Sequence, residues 1–271
     1  MKAWIIGGDA RSTWAARALQ AAGWEVAALD VPQCTDTAPS AETEAVIFPF
    51  PSFDGDRIRG ERRLSAAELA ERLPPAAQIF GGRFGALREL FSARGHKVHD
   101  LYGAEPLTTA NAVPTAEGAI ALAMDAAPIT LHGARCLVIG FGRIGKALAP
   151  RLHALSAAVT VSVRRPADEG LVEALGLTSE RTGRYLHGLS QYDFIFNTVP
   201  SPILDRAQLG QLSADCTLID LSSPPYGIAP ELCRALGRKC IYASGLPGKC
   251  APKTAGILYA RQIITESEES E

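Results

Sequence analysis

No apolar run in this chain approaches the ~18 residues that a membrane-spanning helix requires. Charge of one sign is not in excess either. The 27 Lys and Arg against 29 Asp and Glu leave a formal net charge of −2, with no electrostatic case for nucleic acid or an anionic membrane as the main partner. No two cysteines stand as a CxxC pair: the six lie at 34, 136, 216, 233, 240 and 250. A disulfide framework is unusual in a chain of this size, and no Ser–His–Asp order or metal-ligand cluster stands out, so no metal is expected. The opening "MKAWIIGGDARSTW" turns glycine-rich and charged too soon for a signal peptide. These absences point to a cytoplasmic protein with reduced thiols. Cys136 and Cys216, inside strand-like runs, are expected to be buried apolar groups.

What remains is a 271-residue chain, 47% hydrophobic and 21% charged, long enough for two domains. Short apolar runs alternate with helical spacing throughout. "AWIIGG", "EVAAL", "AVIFP", "QIF" and "HKVHDL" read as strands in the first half; "ARCLVIG", "AAVTVSV", "DFIFNT", "CTLIDLS" and "KCIYAS" do so in the second. Strands buried on both faces and separated by helices imply parallel sheets. The expected fold is α/β, with two doubly wound parallel-sheet domains. The boundaries expected are 1–127 for a flavodoxin-like, substrate-side domain and 128–253 for a Rossmann domain, with a C-terminal helix (254–271) packing back on the first. The stretch 113–128 is apolar all round and is expected to be a helix buried between the domains, begun by Pro114 and Thr115 and stopped by Pro128. The acidic "ESEESE" at the end lacks apolar anchors and reads as disordered.

In "VIGFGRIGKAL", Gly140, Gly142 and Gly145 follow a strand and open a helix with Arg143 and Ile144, the context that gives a GxGxxG pattern its meaning. Gly140 allows the tight turn, Gly142 lets a pyrophosphate approach the backbone, and Gly145 lets helix and strand pack closely. After the next strand an NAD enzyme carries an acid for the ribose 2′-hydroxyl. This chain has Arg164 and Arg165 there, which suit a 2′-phosphate and favour NADP. Asp168 comes too late to replace the missing acid. Two further strand ends, "FNTVPS" with Asn197, Thr198, Val199 and Pro200, and "IDLSSPP" with Asp220, Ser222 and Ser223, are expected to face the nicotinamide half. The earlier glycine turn "IIGGDAR" lacks the third glycine spacing, and its Asp9 would repel a phosphate. Asp9 and Arg11 are instead candidates for the substrate side. Lys253 opens the last helix against its dipole, so it must gain something else there, an anion being one option. A two-domain 2-hydroxy acid dehydrogenase would need a late histidine as acid–base, and none follows His187.

The stretches "IGGDAR", "NAVPTAEGAI", "GFGRIGKALA", "NTVPSPIL", "IDLSSPP" and "GLPGKCAPKTAGILY", in order along nearly the whole chain, resemble the family of dipicolinate synthase A-type subunits. The resemblance implies an NADP-dependent oxidoreductase acting on dihydrodipicolinate, derived from a 4-hydroxytetrahydrodipicolinate precursor, in the mother cell of a sporulating bacterium. It also implies, as partner, the flavoprotein-like B-type subunit of dipicolinate synthase. For a small cyclic dicarboxylate, Arg11, Arg83 and Lys253 are the expected cations, and Thr108, Thr109, Asn111 and Thr115 the neutral donors. Glu117 and Lys253 are the candidate catalytic groups, although Glu117 also stands where the first turn of a helix welcomes a carboxylate. "SSPPYGI" departs from the glycine-rich turn expected in relatives, and a stiffer turn there would change how the nicotinamide pocket closes. Two alternatives stay open: a non-catalytic NADP-binding regulatory protein, and an NADP dehydrogenase for another small carboxylate. A homodimer is left open as well.

Overall fold

The computed structural model describes residues 1–269, the side chains of 185 and 186 excepted. Contacts divide the chain into two units, Met1–Asn111 with Ala251–Glu271, and Ala112–Cys250.

The first unit runs β1 (Lys2–Ile6), α1 (Ala10–Ala21), β2 (Glu25–Leu29), β3 (Ala45–Ile47), a small hairpin β4 (Phe53–Asp54) and β5 (Arg57–Ile58), α2 (Ala66–Arg72), β6 (Gln78–Gly81), α3 (Leu87–Ser92), β7 (Val98–Asp100) and α4 (Glu105–Ala110). Its main sheet is parallel throughout, in the order β2-β1-β3-β6-β7. The central strands are apolar at nearly every position because both faces are covered. Val46 and Phe48 face an aromatic cluster with Phe53, Phe84 and Phe91, while Ala45 and Ile47 face α1. Each such large apolar side chain contributes roughly 1.5–3 kcal/mol on burial. α2 starts at a capping box, Ser65 and Glu68 satisfying each other's backbone amides.

The second unit runs α5 (Ala112–Ala126), β8 (Arg135–Ile139), α6 (Arg143–Ala154), β9 (Ala158–Val163), α7 (Pro166–Ala174), β10 (Thr178–Arg181), β11 (Phe194–Asn197), α8 (Arg206–Gly210), β12 (Thr217–Asp220), α9 (Pro230–Ala235), β13 (Cys240–Tyr242) and α10 (Leu246–Cys250). Its six parallel strands are ordered β10-β9-β8-β11-β12-β13. The order therefore reverses at β8, and a Rossmann sheet binds its ligand at such a reversal, beyond the carboxyl ends of the strands. Cys136 and Cys216 are buried as expected, and burial pushes both thiols up to about 12.

The chain then returns to the first unit as α11 (Pro252–Glu268). α11 crosses α1 so closely that a Cβ on Gly256 would strike the Arg11 carbonyl, and its buried Tyr259 donates to the Phe48 carbonyl at 2.7 Å.

The fold class is thus two α/β domains with parallel sheets, the second Rossmann-like. Three details differ from the sequence reading. The helix at 112–126 packs within the second unit, on α6, β12 and α10, so the division falls at Asn111 rather than at 127. That helix is not buried all round, since Met124 is 59% exposed. The acidic tail stays helical through Glu268, with Ser267 buried and Gln262 donating to Glu266; its last two residues lie outside the described residues.

Candidate functional site

At the reversal point of the second sheet, β8 leads through Gly140–Gly142 into α6. Gly140 adopts a φ of +98°, and a Cβ there would come within 2.5 Å of Thr198 Oγ1. Gly145 is held still more tightly, since its Cβ would overlap the Gly140 carbonyl oxygen. Gly142 is different: apart from its own chain neighbours, no atom of the described residues stands within 4 Å of the place its Cβ would take. Gly140 and Gly145 are demanded by the fold, whereas the open space at Gly142 has no packing reason. Gly142 also caps α6 without a side-chain hydrogen bond. The first-turn amides therefore present a positive helix end with no acceptor supplied by the cap, as a phosphate requires.

The groove beyond these turns has a volume of about 680 Å³ and runs from Gly140–Gly142, past Thr198–Ile203, to the end of β9. Arg164 and Arg165 both line that end, and so does Asp168. Arg165 grips the Asp168 carboxylate with Nε and Nη2 at 2.8 and 2.9 Å. The hydrogen bonds and charge of Arg165 hold the Asp168 carboxyl below the usual carboxylate range, and the same bonds raise Arg165. Arg164 is exposed, and its guanidinium makes no hydrogen bond or ion pair among the described residues.

Thr198, Val199 and Pro200 line the groove, but Asn197, Asp220 and Ser222 do not. These three are buried. Asn197 donates to the Val199 carbonyl and to Asp220 Oδ1, both at 3.0 Å, and accepts from the Val199 amide at 2.8 Å. Asp220 also accepts from the Ser222 amide and hydroxyl at 2.9 and 2.6 Å, and from the Ile228 amide at 2.9 Å. These hydrogen bonds fix the 198–203 loop, which lines the groove, together with the 221–228 loop, which does not. Arg143 is exposed at the start of α6 and Ile144 half-buried behind it. The groove also has walls outside the sequence reading: Phe141, Ser162, Thr182 and Gly183, and Ser201, Pro202 and Ile203. Phe141 lies inside the glycine motif and Ser201–Ile203 directly follow Pro200, so these are readable by position. Thr182 and Gly183 follow an edge strand too polar to stand out.

The first-unit candidates fall in several places. The early glycine turn is closed over by its own chain, the Gly8 amide donating to the Arg59 carbonyl at 2.6 Å. Asp9 caps α1 and binds Arg11 side-on, with Nε–Oδ1 and Nη2–Oδ2 at 2.9 and 2.8 Å. Burial pushes the Asp9 carboxyl up, but the hydrogen bonds and charge of Arg11 outweigh it and leave Asp9 below its ordinary value. Arg11 and Asn111 meet at one small cavity with Phe50 and Tyr259. Its volume of about 10 Å³ is room for one water at most. Arg83 stands over the Tyr102 ring at 5.0 Å. Thr108 donates to the Ala104 carbonyl and Thr109 to Glu105, each at 3.0 Å. Lys253 gains the face of Trp14, 4.9 Å from the ring centroid, as its compensation for opening a helix.

In the second unit, Thr115 is buried in α5. Glu117 is exposed, 3.9 Å from Arg151. α5 begins at Ala112, so Glu117 stands in the second turn and not where a helix N-terminus would favour its charge.

Residues 114–246 match the family described as D-isomer specific 2-hydroxyacid dehydrogenase, NAD binding domain. The dipicolinate synthase A-type subunit of Bacillus subtilis (strain 168) is 29% identical over 280 residues, covering 97% of this chain and 94% of that protein. The crystal structure of the corresponding dipicolinate synthase subunit from Bacillus halodurans superposes with a TM-score of 0.88 at 25% identity, over 97% of this chain and 96% of that one. The dipicolinate synthase A chain from Bacillus subtilis gives a TM-score of 0.87 at 27% identity, over 100% and 98%. The chain thus resembles the A-type subunit of dipicolinate synthase along nearly its whole length, in sequence and in fold. Its second unit matches a nicotinamide-dinucleotide-binding domain of dehydrogenase type.

Proposed function

We propose that this chain is the NADP-linked oxidoreductase subunit of a dipicolinate synthase, taking a dihydrodipicolinate to the aromatic dicarboxylate. The observation that carries the reading is the groove that joins Gly142 to Arg164, in a chain that resembles the A-type subunit over 97% of its length. The open space at Gly142 and the uncapped helix end suit a pyrophosphate, and an exposed guanidinium after β9 suits a 2′-phosphate. When bound, NADP⁺ supplies the hydride acceptor. The chain's own task is then to hold the ring in place, because aromatisation provides much of the driving force. Thr198, Val199 and Pro200 form one wall of the groove, held by the Asn197–Asp220 lock.

On the substrate side, Arg11, Arg83 and Lys253 are the cations assigned to the two carboxylates, with Thr108, Thr109, Asn111 and Thr115 as neutral donors. Arg11 must exchange Asp9 for a substrate carboxylate to take part. Glu117 and Lys253 are the assigned proton-transfer groups. The flavoprotein-like B-type subunit is the proposed partner, and the proposed location is the cytoplasm of the mother cell in a sporulating bacterium.

The closed state of Arg11 favours a second reading, a protein that binds NADP(H) and serves its partner without catalysing. Stopped-flow absorbance at 340 nm separates the two. The purified chain is mixed with NADP⁺ and dihydrodipicolinate generated in situ from aspartate semialdehyde and pyruvate by its synthase, with and without the flavoprotein-like partner. NADPH and dipicolinate appearing together is the expected result. Tight NADP⁺ binding with no turnover in either mixture would leave the regulatory reading or another substrate.

A further inference from the structure

The end of the groove holds a charge arrangement that a plain 2′-phosphate site does not need. Two arginines follow β9, but a carboxylate, Asp168, lines the groove with them and is itself only 8% exposed. Its side chain is 12% exposed and that of Arg165 is 65% exposed, so the carboxylate is covered while the guanidinium that holds it stays largely open to solvent. The bond is the side-on fork, Nε to Oδ2 and Nη2 to Oδ1. A guanidinium has five N–H donors. The fork engages two and leaves three, both of Nη1 and one of Nη2, pointing away from Asp168. Asp168 is rigidly held, because it is in the first turn of α7 and its amide donates to the Arg165 carbonyl at 3.0 Å.

We propose that Asp168 is a positioning residue for the 2′-phosphate: it acts through Arg165, fixing that guanidinium at the end of the groove, while Arg164 supplies the uncompensated positive charge. This rests on the NADP reading above. Two effects compete when a phosphate arrives. Asp168 repels it, and Asp168 has also already removed the rotamer freedom that Arg165 would otherwise lose on binding. The repulsion is weak because the carboxylate is paired with a guanidinium at contact distance. At the distance of the phosphate the pair acts as a dipole, and the free charge of Arg164 outweighs it. The ordering effect remains, and it favours binding.

The test is calorimetric binding of 2′,5′-ADP and 5′-ADP to the full chain, neither of which needs turnover. The wild type is expected to prefer 2′,5′-ADP. Asp168→Asn keeps the shape of the side chain and is expected to reduce that preference roughly three- to tenfold, the cost of ordering one long side chain. Arg165→Ala is expected to reduce it as well, and adding Asp168→Asn to Arg165→Ala is expected to lower it no further. A merely structural Asp168 would weaken both ligands equally, and would do so in the Arg165→Ala background too. The inference is overturned if Asp168→Asn leaves or raises the preference, or lowers it equally without Arg165. If the wild type shows no preference and Arg164→Ala changes nothing, the NADP reading itself falls and takes the inference with it. A wild-type preference that survives Asp168→Asn sinks the inference alone.

Discussion

Asn197 and Asp220 stand opposite each other at the carboxyl ends of neighbouring strands β11 and β12, joined by a 3.0 Å hydrogen bond from the amide to the carboxylate. Both are fully buried. Through this bond one loop, 198–203, and another, 221–228, are held by a single polar lock next to the groove.

Replacing Asp220 with Ala leaves buried donors of Asn197, Ser222 and Ile228 unmet. At ~1–3 kcal/mol for each unsatisfied group, a loss of about 3 kcal/mol or more is expected in urea denaturation. Dinucleotide affinity should fall with it, since the groove wall is released. A variant as stable as the wild type would mean that the loops hold themselves.

The glycine loop offers a contrast within one turn. Gly142→Ala has open space for its methyl and an ordinary φ of −81°. Its stability should fall by about 1 kcal/mol at most, the gap between Gly and Ala as helix N-caps, and by less than that of Gly145→Ala. NADP⁺ binding should nevertheless weaken markedly. Gly145→Ala, whose methyl would overlap a carbonyl, should lower the melting temperature as well. Equal effects of the two variants on stability would contradict the assignment of Gly142 to a ligand.

His99 gives stability a pH dependence. It stacks on Phe80 at 4.6 Å, its Nε2 and Gln78 Oε1 lie 2.9 Å apart, and its Nδ1 is 3.6 Å from Glu266. Burial, and next the charge of Lys97, lower its pKa below the ordinary histidine value, against a smaller opposing pull from Glu266. A folded-state pKa below the unfolded one means that the unfolded chain binds the proton first. The contribution is therefore complete above about pH 6.5 and is lost as pH falls from there through the lowered folded value. Thermal unfolding of His99→Gln should be less sensitive to pH between about 7 and 5 than that of the wild type. Identical slopes would remove His99 as the cause.

Tyr259→Phe removes the hydroxyl that reaches the Phe48 carbonyl. The loss expected is about 1–3 kcal/mol, concentrated in the first unit. Hydrogen exchange should show α11 amides losing protection ahead of those in α6. Uniform loss through both units would show that they unfold as one.

The parts legible in the sequence are those whose cause is local. The β8–glycine–α6 turn can be read because strand, glycine spacing and helix start are contiguous in the chain, although the packing that requires Gly140 comes from Thr198 far along it. Arg164 and Arg165 can be placed for the same reason. Asn197 and Asp220 are identifiable as polar residues at strand ends, yet their orientation is not. A side chain that faces a ligand and one that locks a loop look alike until the partner 23 positions away is known. Asp168 reads in the sequence as too late to serve a ribose, yet it lines the groove, and an acid three residues after an arginine at a helix start is a legible pair. The helix at 112–126 misleads because apolar residues on its outer face, Ala121 and Met124, raise apolarity without being buried. β4 and β5, of two residues each, carry no period to detect.

The first unit is written in two pieces, 1–111 and 251–271, with the whole second unit between them. On the ribosome, β1 through α4 emerge early but wait for α11, which supplies Tyr259 and Ile263 to their core. The second unit has all its strands before that helix exists. The order of synthesis and the order of completion are therefore reversed: the half made first is finished last, and a nascent chain can close a dinucleotide groove while its other half still exposes the face of α1 that α11 will cover.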